Sequence, residues 1–599
     1  MKKNLLFYFS FLLPLSGVNV AGPQMVKAAT PNVTYETYLN KNIVNPTSLT
    51  YGPALILNPK TLNDFTNVDV HASFYDVILE TDNNLNLTYE GTKYNLTEIL
   101  DTYVKGKYVP VVRITDSNVE RFLSWWNNEY RYYDMMVVSS SLDAIGKIYQ
   151  DSNAYLLNSV YDMTSITLPS SRFANWQYVR DANKVGANTL LLNGDDPNIS
   201  ITAEYCQAMA KVAWAMTDSS LEDAKALTDG CYGIVSDHPA ETISTLKIFD
   251  ESGWASPQHL AAHRGITTYC NENSITACLA AYSEGASHIE VDLQVCKDEE
   301  ILLCHNSQTN GTSTKSGWYF VNTTSTAMSG ATLNDYNERY GETYPSLRQL
   351  IKEVMHTDLI CLLELKFDGC SDKALNELHC IENFKRIIDE TPDFYGHFFA
   401  ITFYAPLAEK MKELMPEIPL GYIGGARSGY ESLNNLPAWG NGGGHVAMTE
   451  YANKVKFLRH YNIGLDENHD QKTNAGDYYC DVTGEFYLAR GFVQNTWTYE
   501  NDVHFGMKSM IATTNAADLC HAYLKDIENH EITMSASAYE SGKLVVKTTS
   551  YNGWQSEKEC QIKEISREGS VAYATLYATQ TGAKTSYGRY SKIVKINIQ

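Results

Sequence analysis

Two short segments, Ser287 to Leu293 and Cys361 to Lys366, constrain this chain more than anything else in it. In Ser-His-Ile-Glu-Val-Asp-Leu, apolar and polar residues alternate with the period of a strand, so Glu290 and Asp292 project from one face. In Cys-Leu-Leu-Glu-Leu-Lys an apolar run ends with Glu364 and Lys366 two residues apart, again on one side of a strand. Three carboxylates brought together repel one another, and each favours its protonated form unless a cation joins them.

A hard divalent ion is the natural partner for such a trio. His263 opens a His-Arg-Gly triplet and His305 follows the Glu-Val-Asp strand, which supplies two groups able to take and give a proton near neutral pH. Arg264 and Lys366 suit a phosphate. Together these are the groups that phosphodiester hydrolysis needs.

The pieces occur in the order His263-Arg264-Gly265, Glu272-Asn273, Glu290-Val291-Asp292, His305-Asn306 and Glu364-Leu365-Lys366. That order and spacing resembles the glycerophosphodiester phosphodiesterase family. The resemblance implies an α/β fold of the TIM type, a (β/α)8 barrel with these motifs near the carboxyl ends of its early strands. It implies Ca2+ or Mg2+ held by Glu290, Asp292 and Glu364, phosphate contacts from Arg264 and Lys366, and acid–base work by His263 and His305, with the division between them left open. Ala400 to Tyr404 resembles a middle strand that brings Phe403 or Tyr404 to the pocket, and Asn495 to Asn501 resembles the family's late W-T-x-N strand, which brings Trp497. Asn306 stands where the family has Asp; an amide still accepts a hydrogen bond but adds no charge. The implied reaction converts a small glycerophosphodiester to glycerol 3-phosphate and an alcohol. The alternatives are phospholipase D-like action on lysophospholipids or sphingolipids, and a surface-binding scaffold; teichoic acid or lipid headgroups are further partners.

In chain order, residues 1–28 read as a secretory leader, with Lys2 and Lys3 ahead of an apolar run from Leu5 to Leu15 and small residues at Ala21 and Ala28. A secreted or cell-surface protein is expected, not integral to the membrane after cleavage, since no later segment has the length of a spanning helix. The net charge of -23 argues against nucleic acid as a partner. The cysteines, all at or after Cys206, show no paired C-x-x-C spacing and are expected to be mostly free and buried.

Residues 31–250 read as a degenerate copy of the barrel at 258–525. Tyr94 to Leu100 and Val109 to Thr115 line up without a gap on Pro345 to Ile351 and Ile360 to Lys366, which puts Arg113 opposite Glu364 and Thr115 opposite Lys366. An approximate alignment puts Phe74 opposite Glu290 and Tyr89 opposite His305. A guanidinium where the ion would sit excludes it, so the first copy is expected to be inactive. In the second copy, Ser274 to Ala286 reads as a helix capped by Asn273 or Ser274, and the long insertion Gln308 to Thr343 is expected over the pocket mouth. The glycines at 440–444 read as a loop. Short alternating segments over 527–599 predict a small β-sandwich-like domain. The expected architecture is therefore two tandem (β/α)8 barrels and a β-rich tail.

Overall fold

A computed structural model describes residues 53–66, 75–105, 107–130, 135–151, 157–250, 253–254, 259–334, 341–367, 377–423, 464–468, 490–491, 494–499, 510–517, 531–549, 555–579 and 589–599. The expected leader at 1–28 and the glycines at 440–444 lie outside the described residues. Among those described, no helix is long and apolar enough to cross a membrane.

Eight strands, β1 (Ala54–Leu57), β2 (Tyr75–Leu79), β3 (Val109–Arg113), β4 (Met136–Ser139), β5 (Asn158–Asp162), β6 (Ala187–Asn193), β7 (Val212–Thr217) and β8 (Gly233–Ser236), close into a barrel. Strands such as Ala-Leu-Ile-Leu in β1 and Met-Val-Val-Ser in β4 are buried along their whole length. That is the pattern of a parallel sheet covered on both faces. Gly233 makes room inside the barrel, because a Cβ there would lie 2.8 Å from the Trp214 ring and 3.0 Å from Ile56.

The second unit is a nine-stranded sheet of β9 (His259–His263), β10 (His288–Val295), β11 (Ile301–Leu303), β12 (Ile360–Leu365), β13 (Phe398–Thr402), β14 (Leu420–Ile423), β15 (Gly464–Asn468), β16 (Gln494–Tyr499) and β17 (Ile511–Thr514). Its order is β9-β17-β16-β15-β14-β13-β12-β10-β11, and β9 also pairs with β10. It is barrel-like, whereas the first barrel is closed outright; two complete (β/α)8 barrels were expected.

The expected β-sandwich is corrected. The tail forms one mixed six-stranded sheet of Glu531–Met534, Lys543–Thr549, Gln555–Glu568, Val571–Thr579 and Arg589–Ile598, joined by Gly253–Trp254 from the connection between the barrels. A second sheet is not needed because the helix Ser220–Thr228 of the first barrel covers one face and the tail's own short helix Ala536–Glu540 packs on the other. Ile593 enters the main core and Lys225 of the helix Ser220–Thr228 pairs with Glu568 at 3.3 Å, while Val594 and Ile596 join a separate cluster with Met534 and Tyr539. The alternation along Arg589–Ile598 thus serves two different cores.

The two barrel units meet at the amino ends of the second sheet's strands. His288 Nε2 lies 2.9 Å from the Ala208 carbonyl, the Tyr205 hydroxyl donates to the Gly396 carbonyl at 2.8 Å, and Arg172 donates to the Asp358 carbonyl at 2.7 Å. Phe173 stacks on His397 at 3.9 Å. These contacts lie at the end opposite the carboxyl ends, where a barrel of this type carries its chemistry.

The repeat shows at matching positions. Asn95 caps the helix Leu96–Ile99 by accepting from Glu98 N, and Ser346 caps Leu347–Val354 by accepting from Gln349 N. Each helix leads into the third barrel strand, β3 or β12. With Arg113 opposite Glu364, the ladders Leu79↔Val112 and Val291↔Leu363 set the register of the strand before. They place Ile78 opposite Glu290 and Glu80 opposite Asp292, which corrects the alignment through Phe74; Phe74 itself lies outside the described residues. Leu57↔Val77 and Ala262↔Ile289 then place Asn58 opposite His263.

Candidate active site

The ladder between β10 and β12 sets Asp292 against Glu364, and that between β9 and β10 sets His263 against Glu290. All four side chains therefore converge at one end of the sheet. After His263 the chain turns through two left-handed residues, Arg264 at φ 58° and Gly265 at φ 80°. A Cβ on Gly265 would lie 2.6 Å from the Ala277 carbonyl carbon, so the third position of the triplet admits only glycine. The turn lays the backbone on the start of the helix Ile275–Ser283, which Ser274 caps by accepting from Ala277 N. Asn273, the other candidate cap, is occupied elsewhere: its amide accepts from Asp292 N and donates to Asp292 Oδ2, both at 2.9 Å.

Arg264 sits between acids, with Nη1 2.8 Å from Glu272 and Nε 3.3 Å from Asp292 Oδ2. Burial acts to raise the Asp292 carboxyl, but the charges of Arg264, His305 and Lys366 outweigh it and hold the group below its usual range. Glu290 is driven well above its usual range by burial and by repulsion from Asp292 and Glu364. Glu364 is pushed up to about 8 by burial and by Asp292, although Lys366 lies 2.9 Å away.

Glu290, Asp292 and Glu364 offer oxygens within 4.8 Å of one another, and all three are buried. Glu290 Oε1 and Asp292 Oδ1 are buried without a hydrogen-bond partner. Orphaned carboxylate oxygens at a point of mutual repulsion are what a divalent cation satisfies, so the residues present fit such an ion. The donor set, all oxygen, suits a hard cation and does not distinguish Ca2+ from Mg2+.

His263 Nδ1 lies 2.5 Å from Asn515 Oδ1, and Nε2 lies 3.8 Å from Glu290 Oε2. An amide oxygen accepts, so Nδ1 carries the hydrogen and Nε2 keeps its lone pair toward the carboxylates. Burial, then the Arg264 charge, lowers the His263 pKa, which keeps the ring neutral at pH 7. His305 follows β11 with Nδ1 3.1 Å from Asn306 Oδ1, and its carbonyl accepts from Gln294 Nε2 at 3.2 Å. Lys366 Nζ lies 5.0 Å above the Phe403 ring, and Phe403 meets Trp497 edge-on at 5.7 Å.

The structure thus brings the nine residues singled out in the sequence to one end of one sheet. Asn515 was not among them. A lone Asn after the last strand has no distinguishing pattern; only the fold carries it across to His263.

A barrel-like sheet gathers at its carboxyl end a carboxylate trio able to hold a divalent cation, two histidines and two cationic side chains. Residues 263–463 match the model of the glycerophosphoryl diester phosphodiesterase family. YhdW of Bacillus subtilis, whose name assigns it provisionally to the glycerophosphodiester phosphodiesterases, is 28% identical over 188 residues, 30% of this chain and 72% of that protein. Bovine glycerophosphodiester phosphodiesterase 1 is 25% identical over 158 residues, 25% of this chain and 44% of that protein. Among solved structures, a phosphodiesterase of Oleispira antarctica in complex with the product sn-glycerol-3-phosphate aligns with a TM-score of 0.35 at 18% identity, covering 45% of this chain and 97% of that one.

Proposed function

We propose that the second barrel hydrolyses glycerophosphodiesters, releasing glycerol 3-phosphate and an alcohol. The observation that carries this reading is the buried trio Glu290, Asp292 and Glu364, with two unpartnered carboxylate oxygens beside Arg264 and His263. Ca2+ or Mg2+, when bound there, draws charge from the phosphate oxygens. Arg264 and Lys366 hold the phosphate. His263 Nε2 takes the proton of the attacking hydroxyl, from water or from the substrate itself, as that oxygen bonds to phosphorus. His305 gives a proton to the alcohol oxygen as its bond to phosphorus breaks. Phe403 and Trp497 form an apolar wall against carbon-bound hydrogens of the substrate. A detergent-dispersed lysophospholipid assayed beside a soluble diester separates the phospholipase D-like alternative.

The second sheet is read as a full (β/α)8 barrel, supported by the pairing of β9 with both β10 and β17 and by helices Ile275–Ser283, Leu347–Val354, Cys380–Asp389 and Ala405–Leu414. The first barrel is read as non-catalytic. Asn58 and Ile78 stand where His263 and Glu290 would be, and Arg113 pairs with both Glu80 and Asp162, so a guanidinium fills the place of the ion. Residues 1–28 are read as an export leader.

The test is release of glycerol 3-phosphate from glycerophosphocholine and glycerophosphoethanolamine by the full chain beside His263→Ala. Release that the variant loses supports the proposal; equal release by the variant would sink it.

A further inference from the structure

The insertion between His305 and Lys366 does more than border the pocket. Its last described stretch carries Glu342, whose two carboxylate oxygens accept from different donors: Oε2 from Asn271 Nδ2 at 3.0 Å, Oε1 from the Thr276 hydroxyl. Those donors bracket Glu272 and Asn273. Glu272 holds Arg264, and Asn273 clasps Asp292 through both ends of its amide. Glu342 is itself anchored in the insertion. Its carbonyl accepts from Leu333 N at 2.9 Å, Thr343 pairs with Thr332, and Leu333 and Tyr344 belong to the insertion's own buried cluster with Phe320 and Met328.

The loop needs such a tether. Asn273 sits at φ 57°, in the left-handed region that asparagine enters more readily than most residues, and its two hydrogen bonds to Asp292 depend on the loop staying in that conformation. A small cavity lined by Asn271, Glu272, Asn273, Cys304, Thr312 and Tyr344, among others, lies between the loop and the insertion, so the two are not packed solidly together there. Asn271 and Asn273 are each 2% exposed, and the Glu342 carboxylate reaches Asn271 and Thr276 from the insertion side.

Resting on the reading of Glu290, Asp292 and Glu364 as cation ligands, we propose that Glu342 is a positioning residue. It couples the insertion to cation affinity by fixing the 271–276 loop, and with it the amide that orients Asp292. Groups that orient metal ligands from behind typically change metal affinity by about 10- to 100-fold when removed. Glu342 acts one link further out, so the lower figure applies.

The experiment is calorimetric titration of the full chain with Ca2+ and with Mg2+, comparing wild type, Glu342→Ala, Glu342→Gln, Thr276→Val and Glu290→Gln. The expected result is a Kd raised about 10-fold in Glu342→Ala, raised less in Glu342→Gln and Thr276→Val, and no binding at this site in Glu290→Gln. The cation concentration for half-maximal activity should rise more than the rate at saturating cation falls, a split that general damage to the fold does not give. If Glu342→Ala fails to fold, Glu342→Gln and Thr276→Val carry the comparison. Wild-type affinity in Glu342→Ala, or in both milder variants where Glu342→Ala does not fold, overturns the proposal and leaves the cation site standing. No cation binding by the wild type overturns both.

Discussion

Arg113→Met in the first barrel removes the cation that two carboxylates share. The Arg113 side chain is 16% exposed, Asp162 9% and Glu80 53%. Burial works against the Arg113 charge, yet Glu80 and Asp162 outweigh it and raise its pKa. Breaking a buried pair from one side costs about 3–5 kcal/mol, because the remaining charge stays buried. Asp162 retains hydrogen bonds from Thr164 N and Oγ1 at 2.9 and 2.7 Å, which favours the lower end. The exposed Glu80 arm adds at most about 1 kcal/mol. We therefore expect a loss of about 3 kcal/mol, or roughly 6–12 °C in Tm for a unit of this size, measured by calorimetry and urea titration of the full chain. Arg113→Met with Asp162→Leu should recover most of it, because the only carboxylate left without its partner is the exposed Glu80. Glycerol 3-phosphate release should be unchanged at temperatures where both forms are folded. An unaltered Tm in Arg113→Met would refute the account of this guanidinium as the replacement for an ion.

Other consequences are equally accessible. Gly265→Ala should lower glycerol 3-phosphate release at least 10-fold and reduce Tm, since the Cβ meets the Ala277 backbone at 2.6 Å; wild-type activity would show that the turn is not constrained. Asn515→Leu removes the acceptor that sets the His263 tautomer and should reduce kcat by about 10- to 100-fold with little change in Tm, read by steady-state kinetics and melting. His238 lies 3.2 Å from Asp223 and 3.3 Å from Asp237. Burial opposes its charge, but hydrogen bonds and charges from these two acids outweigh that and raise it from 6.5 to about 9. A raised folded pKa gives stability that is complete below pH 6.5 and lost as pH rises to about 9. Urea titrations across that range should show a loss of about 1 kcal/mol after allowance for solvent screening, absent in His238→Gln; parallel profiles would contradict it.

What could be read in the sequence was local. Glu290, Asp292, Glu364 and Lys366 announce themselves because strand alternation dictates which residues share a face, and the capped helix at Ser274 needs only the residues around it. The repeat was legible where strand three and its preceding helix align without a gap. It was misplaced one strand earlier, since the alignment through Phe74 had no ladder to set its register, and the retained Glu80 went unnoticed. Asp162 ends one strand and Asn515 follows another, both far from the residues they serve, and each acts only through contacts that closure of its sheet creates. The tail was legible as strands but not as one sheet, because the helix that covers it belongs to the first barrel, more than three hundred residues upstream of its last strand.

The most direct test of the central claim is the cation dependence of glycerol 3-phosphate release from glycerophosphocholine, measured for wild type and Glu364→Gln after exhaustive chelation and stepwise return of Ca2+ or Mg2+. The account predicts that chelated wild type is inactive and regains its rate as either ion is restored, while Glu364→Gln does not recover or needs far more of the ion. Full activity in chelator, or identical titrations for the two proteins, would contradict it.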